Sequence, residues 1–217
     1  MGLFQKSKVA MRYWLMGRKY QTALKALEFG LKHHTGTRKD GLTPEFQHQL
    51  SITNYMRVFE GYLTYPDETF AALLLHDVVE DYDITPNEIS NLFGDRVAKG
   101  VLSLTKKYQG VKKSTEYYYQ ELAEDPIGSI GKGGDRIHNI QTMVNVFTAK
   151  GQLWYIEETE KFIIPMLKKA RRNFIQQEPI YENIKLVLQS QLDLIKIIHS
   201  ERGIHDKVIQ AMGSPGS

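Results

Sequence analysis

The stretch Pro66–Asp81, PDETFAALLLHDVVED, joins a helix signal to a cluster of polar groups. Pro66-Asp67 opens a helix, because proline's fixed φ suits the first helical position. Phe70, Leu73 and Leu74 recur at helical spacing, and the same helix is expected to run on through His76, Asp77, Glu80 and Asp81. At about 100° per residue these four polar side chains occupy an arc of roughly 140°, so they can converge on one site. They emerge directly from the apolar run Ala71–Leu75, where desolvating imidazole and carboxylate is costly unless a cation is bound. That context favours a metal, although an isolated His-Asp pair is more often surface polarity or a hydrogen-bonded core pair.

The flanking sequence extends the helical reading. Tyr20, Ala23, Leu24, Leu27 and Leu31 share one spacing, as do Ile52, Tyr55, Met56, Phe59 and Leu63. Thr43-Pro44-Glu45 places a capping hydroxyl before a proline, which predicts a helix start there with His48 in the second turn. Thr85-Pro86-Asn87-Glu88 has capping-box spacing, and Gly94 suits the stop of that helix. Further helices are expected near 95–106, 114–124, 127–148, 154–175 and 181–202, and no alternating strand pattern is present. Asp135, His138, Asn139 and Thr142 share an arc of about 100° on one of these helices. The fold class is therefore all-α, a single helical-bundle domain over 1–212. Its motif-bearing core is 20–148, its C-terminal helices are 154–205, and Gly213–Ser217 forms a flexible tail.

Bulk composition narrows the chemistry. At 217 residues and 41% apolar the chain can bury one sizeable core, and no linker or internal repeat divides it. A formal charge of +3 is too weak to indicate nucleic acid without a clustered stripe. With no cysteine, thiolate metal sites and a Cys nucleophile are excluded, and any metal must use His and carboxylates. Absence of disulfides fits a reducing cytoplasm. The apolar segment Met11–Met16 is interrupted by Arg12 and is far shorter than a membrane span. Gly131-Lys132-Gly133-Gly134 is not a Walker-type phosphate loop: Pro126 stands where the first glycine belongs, and Gly133 follows the lysine in place of Ser or Thr. These glycines instead predict close helix approach. Lys168–Arg172 reads as a solvated helix face. Tyr117, Tyr118 and Tyr119 cannot all face the core, so one is expected at the pocket.

Taken together, these segments resemble the hydrolase domain of the Rel/SpoT family and its small alarmone hydrolase relatives, including the metazoan SpoT homologs. The resemblance runs through Ala23-Leu24, His33, Arg38-Lys39-Asp40-Gly41, His48, Ala71–Asp81 (AALLLHDVVED), Phe93–Ala98, Leu104-Thr105-Lys106 and Asp135–Thr142 (DRIHNIQT). It implies an HD-domain helical bundle in which His48, His76, Asp77 and Asp135 hold one divalent metal, usually manganese. It also implies that Glu80 and Asp81 orient and deprotonate the attacking water. Arg38 and Lys39 match residues lining the nucleotide pocket, Asn139 and Thr142 match residues at the ribose and phosphates, and Lys132 matches a lysine three residues before the metal aspartate. His33, His34 and His138 are not expected to be ligands. Two imidazoles with two carboxylates form a set suited to manganese, iron or zinc. A carboxylate outside the ligand set can accept a proton from water.

The implied activity is removal of the 3′-pyrophosphate of guanosine tetra- or pentaphosphate, releasing pyrophosphate and GDP or GTP. The chain length points to a stand-alone hydrolase. A guanosine nucleotide is then the expected partner, with no membrane and no nucleic acid, and the sequence leaves the oligomeric state unset. One alternative is an HD phosphohydrolase acting on NADPH or a deoxynucleotide. Another is a nucleotide-binding or antitoxin-like module without catalysis. Two positions depart from the alarmone pattern: Glu45 stands where an aromatic residue is common, and Gln49 follows His48 in place of proline. A carboxylate at Glu45 requires a partner, expected to be Arg38, Lys39 or a base amino group.

Overall fold

Ten residues from Pro66 to Leu75 form the helix around which the others pack, and Thr69 to Leu75 are buried without interruption. In the computed structural model, which describes residues 2–144, 146–201 and 203, the elements preceding it are α1 (Leu3–Arg18), α2 (Gln21–His33) and α3 (Gln47–Met56). The Pro66–Leu75 helix is α4, followed by α5 (Val78–Asp81), α6 (Pro86–Phe93) and α7 (Asp95–Leu104). A short hairpin, β1 (Lys107–Tyr108) and β2 (Val111–Lys112), leads into α8 (Thr115–Ala123) and α9 (Pro126–Met143). The last elements are α10 (Ala149–Glu158), α11 (Ile164–Asn173) and α12 (Glu178–Glu201). The all-α bundle expected from periodicity is the fold observed, with the hairpin as an addition.

α4 packs on α2, α3, α7 and α9, and the α2 contact is tied by a capping group supplied from outside the helix. The first turn of α2 has no side-chain cap of its own. Asp67 supplies one, its two carboxylate oxygens accepting from the backbone N–H groups of Thr22 (3.1 Å) and Ala23 (2.7 Å). A carboxylate there satisfies orphan donors and meets the positive end of the helix dipole. The α9–α3 contact is close for the reason the glycine run predicts: a Cβ on Gly134 would come within 2.8 Å of Met56 and 2.9 Å of Ile52.

The capping box at Thr85 forms, with Glu88 N–H donating to the Thr85 hydroxyl at 3.2 Å and Thr85 N–H donating to the Glu88 carboxylate at 2.8 Å. Gly94, at φ 89°, separates α6 from α7. Other boundaries differ from expectation. Thr43-Pro44-Glu45 does not start a helix, since α3 begins at Gln47 without a side-chain cap. Asp40 captures this segment instead: its carboxylate accepts from Leu42 N–H and Thr43 N–H, both at 2.9 Å, and from the Thr43 hydroxyl at 2.5 Å. Turn chemistry local to Asp40 outcompetes capping at Thr43.

The helix expected over 154–175 is divided by a wider turn at Thr159–Ile163, and the one expected over 127–148 ends at Met143. The hairpin carries Gln109 and Gly110 at φ 47° and 81°, a turn for which a Gln-Gly pair is a weak sequence signal. In the basic run of α11, Lys169 pairs with Glu124 at 3.0 Å and Arg171 with Glu182, as a solvated face would. Among the described residues no helix is long and apolar enough to cross a membrane. The expected tail at 213–217 lies outside the described residues.

Candidate metal centre

The helix expected to carry His76 to Asp81 on one continuous face is broken at its most polar point. α4 ends at Leu75, His76 takes an extended conformation (ψ 147°), and Asp77 takes a left-handed one at φ 70°, before α5 resumes for one turn. The predicted 140° arc is therefore corrected: backbone reversal, not helical spacing, aims these groups. Aspartate is among the few residues that occupy the left-handed region at modest cost. The break is closed on both sides. His76 Nδ1 donates to the Leu73 carbonyl at 2.7 Å, and the Asp77 carbonyl accepts from Glu80 N–H (3.0 Å) and Asp81 N–H (2.8 Å).

With Nδ1 protonated, His76 presents Nε2 as a lone pair. That atom is buried and has no hydrogen-bond partner, while Asp77 Oδ2 lies 3.4 Å from it. Ligand atoms of His48, His76 and Asp77 all lie within 4.8 Å of one another. A buried, unsatisfied nitrogen lone pair beside a second imidazole and a carboxylate is a donor set that fits a divalent cation. Burial pushes His48 down to about 4 and its neighbour His138 down to about 3, which favours the neutral ring that ligation by His48 requires.

Asp135 stands beside this triplet on α9. Its Oδ1 pairs with His48 Nε2 at 3.1 Å and accepts from Asn139 Nδ2 at 2.5 Å, and its Oδ2 accepts from Lys132 Nζ at 2.8 Å. Burial alone would raise the Asp135 carboxyl, but the Lys132 ammonium and His48 hold it well below the usual range. The continuous face predicted for Asp135, His138 and Asn139 is present, and His138 Nδ1 meets His48 Nδ1 at 2.8 Å. Glu80 and Asp81 are exposed in α5. Glu80 accepts from Lys106 N–H at 2.8 Å. Although the residue is exposed as a whole, partial desolvation of the Asp81 carboxyl, with the charges of Asp77, Glu80 and Glu45, pushes it up to about 6.

A cavity of about 500 Å³ adjoins the cluster through His138 and Glu45, and it gathers Arg38, Lys39, Asn139 and Thr142. Arg38 donates to Asn139 Oδ1 at 3.0 Å, and Lys39 Nζ sits 4.6 Å from the centre of the Phe147 ring. Thr142 turns its hydroxyl back to the His138 carbonyl at 2.9 Å, and Lys132 points to Asp135 and does not line this cavity.

Glu45 corrects a second expectation. Its partners are His34 Nδ1 (3.0 Å) and the Tyr82 hydroxyl (2.8 Å), not Arg38 or Lys39. Those bonds hold its carboxyl below the usual range against the opposing effect of burial. The roles of His34, Tyr82 and Phe147 escaped the sequence reading. The one available signal was that a carboxylate at Glu45 needs partners. Of the three tyrosines, Tyr118 and Tyr119 are buried and Tyr117 borders a separate cleft, so none reaches this cavity.

Residues 26–166 match the family model of the HD domain. The chain belongs to the HD-domain family. It is 33% identical over 147 residues to a guanosine-3′,5′-bis(diphosphate) 3′-pyrophosphohydrolase of Aquifex aeolicus, a match covering 65% of this chain and 20% of that protein. It is 27% identical over 162 residues to a GTP pyrophosphokinase of Brucella melitensis, covering 71% of this chain and 21% of that one. The HD domain thus spans about a fifth of the length of the curated relatives it matches. Among solved structures it superposes on a metazoan ortholog of SpoT that hydrolyses ppGpp and plays a role in starvation responses. The TM-score there is 0.58 and the identity 20%, over 76% of this chain and 93% of that one, a likeness of fold.

Proposed function

We propose that this HD domain is a metal-dependent phosphohydrolase that removes the 3′-pyrophosphate of guanosine tetra- or pentaphosphate, releasing pyrophosphate and GDP or GTP. The observation that carries the reading is the buried, unsatisfied His76 Nε2 within a His48–His76–Asp77 cluster beside a cavity lined by Arg38 and Lys39. Relatives named for this hydrolysis support the choice of substrate. His48, His76, Asp77 and Asp135 would hold one divalent ion, manganese in this proposal, supplying Lewis acidity toward a phosphoryl oxygen and toward water. Because Lys132 and Asn139 already occupy Asp135, its carboxylate is held ionised and oriented in advance. Asp81, raised toward neutrality, is the proposed proton acceptor, and Glu80 orients the water. Arg38 and Lys39 attract the polyanion, with Arg38 able to hold phosphate through two bonds. Asn139 and Thr142 face the ribose and phosphate region, and the setting proposed is the cytoplasm.

Incubation of the purified chain with guanosine tetraphosphate and excess manganese, followed by anion-exchange chromatography, is expected to yield GDP and pyrophosphate. Absence of any guanosine product sinks the proposal. A second reading, hydrolysis of NADPH or a deoxynucleotide, is favoured by the Glu45 carboxylate locked at the cavity by His34 and Tyr82. A nucleotide panel with separate phosphate and pyrophosphate detection distinguishes the two.

A further inference from the structure

Glu80 is held by a backbone N–H that belongs to a different part of the molecule, and the side chain of that same residue is anchored to a buried carboxylate. Lys106 follows α7 and leads into β1. Its N–H donates to Glu80 Oε2 at 2.8 Å. Its ammonium crosses to Glu158 Oε1 at 3.1 Å and lies 5.4 Å and 5.8 Å from the ring centres of Tyr118 and Tyr119. Glu158 is buried at the end of α10, and its other oxygen accepts from the buried guanidinium of Arg136, the residue after Asp135. Arg136 also stacks at 4.3 Å over the Tyr155 ring. A continuous chain of contacts therefore runs from Glu80 through Lys106 and Glu158 to the helix that bears Asp135.

We propose that Lys106 and Glu158 are positioning residues: the half-buried Lys106–Glu158 ion pair fixes the Lys106 backbone N–H and so sets the carboxylate of Glu80 relative to the α9 side of the site. The physical case is geometric. Glu80 is exposed and lies on a single-turn helix that follows the helix break at His76-Asp77, so α5 alone restrains it poorly. The backbone that holds it has left α7, and the neighbouring Leu104 carbonyl is pinned by the Tyr118 hydroxyl at 2.8 Å. The Lys106 side chain supplies the second anchor. Its charge-assisted bond ends on the buried Glu158 carboxylate, which strengthens it and makes its direction consequential.

This inference rests on the phosphohydrolase reading, in which Glu80 orients water, and its test has one arm that does not depend on turnover. Lys106→Met keeps the backbone N–H and the packing volume but removes the ammonium, and Glu158→Gln keeps a bond to Arg136 but removes the charge. Hydrogen exchange is measured on the wild-type chain and both variants without metal, with manganese-dependent hydrolysis of guanosine tetraphosphate assayed in parallel. Faster exchange at the Lys106 amide is expected in both, with kcat reduced about 10- to 100-fold and KM unchanged. Lys106→Arg is expected to recover most of kcat. In a Glu80→Gln background, Lys106→Met is expected to cause no further loss, because it acts through Glu80. Unchanged exchange at that amide overturns the proposal even if the wild type proves inactive toward guanosine tetraphosphate, a result that counts only against the substrate assignment. A rise in KM with kcat preserved also overturns it, since Lys106 would then touch substrate. Equal fractional losses with and without Glu80 overturn it as well, by showing a general structural defect. Where Glu158→Gln fails to fold, the Lys106 series decides alone.

Discussion

The two segments that bring carboxylates to the candidate metal centre do so by opposite means. On α9, Asp135 sits on an uninterrupted helix, and its orientation is set by side chains: Lys132 one turn before it, Asn139 one turn after it, and His48 across the interface. At the end of α4, Asp77 sits in a left-handed backbone conformation, and main-chain bonds from Glu80 and Asp81 hold its residue in place. One carboxylate is positioned by charge and the other by backbone. The difference teaches where each is vulnerable. Changing a neighbour's charge should disturb Asp135, and changing backbone preference should disturb Asp77.

The largest effect expected from this contrast is at Lys132. Lys132→Met leaves the buried Asp135 carboxylate without its cation, and breaking such a pair from one side costs about 3–5 kcal/mol. Urea denaturation in chelator should show that loss, and added manganese should recover part of it by restoring a cation beside the carboxylate. Equal stability of variant and wild type in chelator would mean that charge does not set the α9 side. Next in size is Asp77→Asn, which keeps a residue tolerant of the left-handed region but removes the carboxylate. Metal affinity by titration calorimetry should fall by more than the roughly 10- to 100-fold typical of losing an outer partner, with thermal stability of the metal-free protein retained.

Asp77→Val adds the backbone penalty. Relative to Asp77→Asn it should lose a further 1–2 kcal/mol, approximately, of metal-free stability, since a branched side chain clashes at φ 70°. If the valine and asparagine variants melt together, backbone conformation is not what positions Asp77.

The smallest effect concerns the rim loop that carries Arg38 and Lys39. Hydrogen bonds from Thr43 and Leu42 hold the exposed Asp40 carboxyl down at about 2. Because that lies below its unfolded value of about 3.9, its stabilising contribution is complete above pH 4 and is lost as pH falls through 2. Between pH 5 and pH 3 the wild type should therefore lose slightly more stability than Asp40→Asn, as read from paired urea midpoints. An equal drop in both would remove Asp40 as the organiser of that loop.

Legibility in the sequence follows the range of the forces involved. The capping box at Thr85, the stop at Gly94 and the polar face of α9 were readable because every group involved lies within a few residues of its partner. The break at His76-Asp77 was not, since neither glycine nor proline marks it and aspartate enters the left-handed region without a distinctive signature. The start of α3 was misread because two local devices, Thr43 and Asp40, compete for the same segment. The partners of Glu45 were hidden for a different reason: Tyr82 lies 37 residues away and reaches it only once α5 is folded onto the bundle.

By itself the sequence determined the helical fold, the candidate cation-binding residues and the side chains that share one face of α9, because helical periodicity, capping and donor chemistry are local properties. Only the tertiary structure decided which donors meet, which carboxylate is already engaged by Lys132, and how Glu80 is tied through Lys106 to Glu158. Those outcomes depend on the packing of α3, α4, α9 and α10 against one another, where burial removes water and leaves each charge to the partner that the fold supplies.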